Sequence, residues 1–125
     1  MKRAILAALV LMAISAIALP VLAQDPVKVD SKHYKVEFEN DQVRVLRITY
    51  GPGEKSVMHE HPGAMAVFLS GGKVKFNLPD GTAQEQEVKA GTSQWTPAGK
   101  HLPENVGTKP FEVLLVEVKT PAPAK

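Results

Sequence analysis

At 125 residues the chain is long enough for one domain with one core and too short for two of ordinary size. It contains no cysteine, which excludes a disulfide framework, thiolate metal ligation and a cysteine nucleophile. Its 15 Lys+Arg and 13 Asp+Glu become 13 and 13 once Lys2 and Arg3 are set aside with the leader they belong to, so nothing in the charge balance points to a nucleic-acid partner.

That leader comes first along the chain. Met1-Lys-Arg3 is positively charged, Ala4 to Leu19 is an apolar run interrupted only by Ser15, and Pro20-Val-Leu-Ala-Gln24 has small and apolar residues at the spacing that signal peptidase accepts. Residues 1–23 therefore read as a secretory signal peptide cut after Ala23, which puts the mature protein in the periplasm or outside the cell, with no membrane attachment after cleavage. The rival reading is a retained anchor, because the run approaches the roughly 20 apolar residues that span a bilayer. No cysteine follows it to carry a lipid. The folded domain is expected over 24–119, with Gln24 to Ser31 as a loose lead-in. Residues 120–125, which include Pro-Ala-Pro-Ala, read as a disordered tail.

Within the domain, short strands alternate with turn residues. Tyr34-Lys-Val-Glu-Phe38 alternates apolar and polar positions, which puts Tyr34, Val36 and Phe38 on one face of a strand. Asn40-Asp41 turns the chain into Val43 to Tyr50, a β-branched run that stops at Gly51-Pro-Gly53. Further strands are predicted at Ser56 to His61, Ala64 to Leu69, Lys73 to Leu78, Ala83 to Val88, Gln94 to Thr96, His101 to Val106 and Phe111 to Lys119. Between them lie Gly71-Gly72, Pro79-Asp-Gly81, Ala90-Gly91, Pro97-Ala-Gly99 and Gly107-Thr-Lys-Pro110. With no helical period after the leader, this is an all-β sandwich or barrel. Phe68, Phe76, Trp95 and Phe111 are its candidate core or interface residues.

Candidate chemistry begins at Val57-Met-His-Glu-His-Pro62. A strand repeats every two residues, so His59 and His61 share a face while Glu60 points away. Two imidazoles placed so are either half of a metal site or polar residues on a solvated strand, and a third donor would decide between them. His101 is the candidate third donor, carried by Trp95-Thr-Pro-Ala-Gly-Lys-His101, where a Pro-x-Gly turn feeds a new strand. His33 has no motif around it and reads as an exposed loop histidine. Glu60 and Glu104 fall on the outward register, whereas Asn105 lies at an even offset from His101 and faces inward, as a loop hydrogen-bonder or a second-sphere partner of the histidines.

Gly53, His59, His61, position 65 and Gly72 resemble the first motif of the cupin superfamily, and Gly91, Pro97, Gly99, His101 and Asn105 resemble the second. The likeness spans Val43 to Val118. It implies a cupin-type double-stranded β-helix, or jelly-roll barrel, with His59, His61 and His101 as ligands of a divalent transition metal (Fe, Mn, Zn, Ni or Cu). Pro79-Asp-Gly81, Trp95-Thr-Pro97 and Pro103-Glu-Asn105 further resemble small single-domain cupins of the beta-alanine degradation type. Where the family pattern carries a glutamate ligand, this chain has Met65. The even offset from His61 would turn Met65 inward if the strand ran on through Pro62-Gly63, either as a soft fourth donor suited to copper or as simple filling. The resemblance implies a small-molecule dioxygenase acting on a thiol or diketone. The alternatives are a non-catalytic periplasmic module for a metal or small ligand, and a barrel without metal that pairs as a homodimer. No catalytic residue beyond the metal site and no organic cofactor is indicated.

Overall fold

The computed structural model describes residues 24–119; the expected signal peptide over 1–23 and the expected tail over 120–125 lie outside the described residues. Among the described residues, no helix is long and apolar enough to cross a membrane.

The strand expectation is met closely. Nine strands follow in order: β1 (Tyr34–Glu39), β2 (Val43–Tyr50), β3 (His59–His61), β4 (Ala64–Phe68), β5 (Gly72–Asn77), β6 (Ala83–Val88), β7 (Ser93–Thr96), β8 (Gly99–Asn105) and β9 (Phe111–Val118). They form a five-stranded sheet in the order β1-β2-β9-β4-β7 and a four-stranded sheet in the order β3-β8-β5-β6, with every named pairing antiparallel. Turn chemistry separates them as the sequence suggests. At Pro79-Asp-Gly81 the Asp80 carboxylate accepts from the Thr82 amide at 2.9 Å, and Gly81 takes φ +86°, a value that L side chains avoid.

Each sheet buries one face against the other. Leu46, Ile48 and Tyr50 from β2, Ala64, Ala66 and Phe68 from β4, and Phe111, Val113 and Leu115 from β9 meet Val74 and Val88 of the second sheet. Leu46 is fully buried beside Leu115 in the ladder, so Leu46→Ala would cost about 2–5 kcal/mol through lost burial and the cavity left behind.

Two expectations need correction. Gln24 to Ser31 is not a loose end. Pro26–Val29 forms a one-turn helix, α1, whose first amide, at Val27, is capped by the Asp25 carboxylate; that carboxylate is also paired with Arg44 at 2.7 Å. A four-residue turn is too short to show a helical period. Tyr34, Val36 and Phe38 also do not share a face. The β1–β2 register shifts between Val36, opposite Leu46, and Phe38, opposite Val45, and the extra residue Glu37 rolls Phe38 to the outer surface.

Candidate functional site

The histidines meet because of a ladder. On β3, His59 and His61 project to the inner face and are buried. β3 pairs with β8 so that His59 stands opposite His101 and His61 opposite Gly99. Directly opposed side chains on an antiparallel pair lie about 5 Å apart at Cβ, and the ring centroids follow: 4.9 Å for His59–His101 and 4.5 Å for His61–His101. Glycine at position 99 leaves His61 without a competing side chain across the ladder. Phe76 stacks on His101 at 5.5 Å with an 18° interplanar angle.

Hydrogen bonds set the tautomers. His59 Nδ1 is 2.9 Å from the Val57 carbonyl and His61 Nδ1 is 2.7 Å from the Pro62 carbonyl. A carbonyl only accepts, so each Nδ1 bears the proton and the lone pair of the neutral ring sits on Nε2. Burial lowers the His59 pKa. Burial first, then the neighbouring His61 and His59, pushes His101 down to about 3. Both rings are thus neutral near pH 7, the form that can coordinate a metal.

Residues that the sequence reading gave no role surround His59. The Tyr34 hydroxyl lies 3.2 Å from His59 Nε2 and 2.5 Å from the Tyr50 hydroxyl. With Nε2 unprotonated, Tyr34 donates to it and Tyr50 donates to Tyr34. Burial raises both phenol pKa values, so these protons stay in place. On the other side, Ser56 Oγ is 3.3 Å from His59 Nδ1 and donates to Asp30 at 2.6 Å. Asp30 in turn bonds His33 Nδ1 at 2.8 Å, and His33 Nε2 is 3.2 Å from Glu54. His33 is therefore a correction: it is 7% exposed, with a carboxylate at each ring nitrogen and its ring 4.7 Å from that of Tyr50. The signal available in the sequence was Tyr34 at an inward position of the first alternating run. Asp30 and Ser56 gave none: each stands only three residues from its histidine, but the Ser56–Asp30 bond that links the two pairs joins segments that only folding brings together.

The histidines line a cavity of about 350 Å³ between the sheets. Its buried wall is apolar, formed by Ile48, Phe68, Phe111, Val113 and Leu115, while the exposed Gln84, Gln94 and Lys100 mark its opening. Among the described residues no carboxylate lines it.

Met65 does not. β3 ends at His61 and β4 begins at Ala64 in the other sheet, so the strand does not run through Pro62-Gly63 and the assumed parity fails. Ala64, Ala66 and Phe68 face inward, and Met65 is 37% exposed on the outer surface. Neither an inward-facing nor a fourth-ligand role survives. Asn105 is buried but does not touch the histidines. Its amide donates to the carbonyls of Tyr50 (3.3 Å), Gly51 (3.1 Å) and Lys109 (2.8 Å) and its oxygen accepts from Gly107 N–H (3.0 Å), which makes it the organiser of the loops at that end.

The site can be tested for a metal on its own geometry. Three imidazoles bound through Nε2 at about 2.0–2.1 Å with inter-ligand angles of roughly 90–109° have ring centroids about 4.6–5.3 Å apart. The two measured separations lie at that scale, and the nitrogen donors suit a divalent transition ion. Among the described residues, no group of three or more His, Cys, Asp or Glu is arranged to hold an ion, and His59 Nε2 is directed at Tyr34. Spacing and donor chemistry fit, and gripping one ion requires Tyr34 to release His59.

A family described as "Cupin domain" matches residues 46–117. No curated protein matches the chain. Among solved structures, a cupin domain from Bordetella pertussis Tohama I is 24% identical, with 70% of this chain and 92% of that one covered at a TM-score of 0.65. A protein with a double-stranded beta-helix domain from Klebsiella pneumoniae MGH 78578 is 24% identical over 68% of this chain and 74% of that one, with a TM-score of 0.56. A cupin superfamily protein from Desulfitobacterium hafniense DCB-2 is 17% identical over 70% and 76%, with a TM-score of 0.52. These likenesses bear out the fold expected from the two motifs. They do not support the narrower likeness to beta-alanine degradation proteins.

Proposed function

This chain belongs to the cupin superfamily, and on that premise we propose that His59, His61 and His101 hold a divalent transition metal at the wall of the cavity, where a small organic molecule joins it. The observation that carries the reading is the ladder pair His59–His101 with His61 on the same face. When bound, an ion of this kind supplies Lewis-acid polarisation or dioxygen chemistry, and a small-molecule dioxygenase is the enzymatic form of the proposal.

The chain's own residues contribute the surroundings. Imidazole ligands bring no negative charge, and the described cavity lining adds no carboxylate to offset a dication. That imbalance favours an anionic partner such as a thiolate or the enolate of a diketone. The Tyr34 phenol, kept protonated by burial, is a hydrogen-bond donor within reach of such a partner. The apolar wall excludes water from the remainder of the molecule bound there. With residues 1–23 acting as an export signal, this takes place in the periplasm or outside the cell.

A second reading, a module that binds a metal or small ligand without turnover, is favoured by one observation. With the histidines engaged as ligands, no carboxylate among the described lining residues remains to act as a general base. Elemental analysis of the purified protein tests both readings. A stoichiometric transition metal, lost in His59→Ala and in His101→Ala, supports the site; metal-free protein in which both substitutions are silent rejects it. Given a loaded site, oxygen uptake driven by small thiols or diketones separates the oxygenase from the binding module.

A further inference from the structure

β6 and β7 end the two sheets, and where a ladder would join them Gln86 and Gln94 exchange side-chain amide bonds, with Gln94 donating at 3.4 Å. On β6 the order Ala83-Gln-Glu-Gln-Glu-Val88 alternates two side chains of equal length that differ in charge. Gln84 and Gln86 fall in step with buried Val88 and line the cavity, whereas Glu85 and Glu87 take the outward register. On β7, Gln94 and Thr96 stand opposite the inward Ala66 and Ala64 and line the cavity too. An open rim bathed in water would accept a carboxylate on either face. Its exclusion from the inner face marks a surface that loses water when the cavity is filled, where an unpaired charge is costly.

We propose that Gln84, Gln86, Gln94 and Thr96 hold the far end of the molecule bound at the histidines, and that this end is an uncharged donor–acceptor group, a carboxamide or a hydroxyl. The inference rests on the metal site proposed above and adds a second point of attachment to it. Only β5 separates β6 from β8, so Gln84 and Gln86 stand two strands from His101, about 10 Å at the usual strand spacing. A short chain between the metal-binding atom and the polar end covers what the side chains leave of that span. The cavity volume of about 350 Å³ suits such a molecule, being at the small end of ligand sites.

Charge decides against the ionised alternatives. After exchanging one bond each way, Gln86 and Gln94 both keep an N–H donor and an accepting lone pair. An ammonium group would find no carboxylate among the described lining residues. A carboxylate would find one lining cation, Lys100, which is exposed and stands directly opposite Glu60 on the outward register, so its ammonium stays in water. A carboxamide or hydroxyl both donates and accepts, and meets the glutamines without leaving a charge unpaired.

Three thiols that share an anchor and differ in the charge of the far end provide the test: 3-mercaptopropionamide, 3-mercaptopropionate and 3-aminopropanethiol. The protein, as recovered from the cells that make it, is stripped with chelator, loaded with cobalt(II) and titrated with each under argon, following the thiolate-to-cobalt charge-transfer band. The amide should bind about tenfold tighter than either charged thiol. Gln84→Leu and Gln86→Leu should each remove most of that preference, and Gln86→Glu should turn it towards the aminothiol by about tenfold. Glu85→Gln, on the outer face, should change nothing. The ligand-field bands of bound cobalt report an intact site in every variant. Equal affinity for the three thiols overturns the inference with the metal site standing, as does tightest binding of the carboxylate or a preference that the glutamine variants all retain. Protein that takes up no cobalt overturns the metal site and this inference with it.

Discussion

Acid should weaken the metal-free protein through His101, and His101→Phe should remove that effect. The substitution keeps an aromatic ring in the place where His101 stacks with Phe76, while deleting the titrating group. The folded pKa of His101, about 3, lies below the unfolded value of 6.5. Between those values the unfolded chain carries a proton that the folded chain does not, so stability is complete above pH 6.5 and falls as the pH drops towards 3. A window above pH 5 isolates histidine, because the carboxylates with lowered pKa, Asp25, Asp80 and Glu54, begin to lose their contribution only below their unfolded values of 3.8 to 4.5. From 6.5 to 5 is about 1.5 pH units at about 1.36 kcal/mol each, or about 2 kcal/mol. His59 is shifted in the same direction but is present in both proteins, so the comparison removes it. Chelator-treated wild type should lose about 2 kcal/mol more than His101→Phe between pH 7 and pH 5, an extra midpoint shift of about 1 M in urea. Unfolding followed by circular dichroism would measure it, and parallel pH profiles for the two proteins would refute the reasoning.

Other outcomes follow from the same contacts. Asn105→Ala leaves three carbonyls and the Gly107 amide without their partner and should cost about 2–4 kcal/mol, lowering Tm by about 10 °C or more, while metal uptake per folded molecule is unchanged. Tyr34→Phe frees the Nε2 lone pair of His59 at the expense of an unpartnered Tyr50 hydroxyl. Titration with cobalt(II) should show affinity rising about two- to tenfold while folding stability drops by about 1–3 kcal/mol; weaker binding would mean that the phenol supports the ion instead. Met65→Leu should leave metal affinity and copper selectivity as they were, because Met65 faces solvent across the sheet from the histidines. Mass spectrometry of the exported protein should find Gln24 as its first residue, and an intact Met1 terminus would overturn the leader reading.

Much of the strand plan was legible because its signals are local. A β-branched run such as Val43 to Tyr50 and a turn such as Pro79-Asp-Gly81 declare themselves within a few residues, and the observed strands match them to within one to three positions. The spacing of glycines, prolines and histidines carried the family likeness for the same reason. Two of the errors fall where one extra residue or a strand break reverses parity. Glu37 bulges out and rolls Phe38 to the opposite face, and the break at Pro62-Gly63 moves Met65 into the other sheet facing out. Period two cannot absorb such an interruption.

The sequence by itself determined which residues are strands, that one strand presents His59 and His61 together, and that a third histidine follows a turn at Gly99. Only the tertiary structure decided that His101 stands across the ladder from His59, that Tyr34 and Tyr50 close in behind it, and that Ser56, at its other nitrogen, is bonded to Asp30. Local backbone preference acts over a few residues and is written in order along the chain. The register between β3 and β8, and the arrival of residues 30 to 34 beside them, follow from burying both sheets against one another, a condition that no short stretch contains.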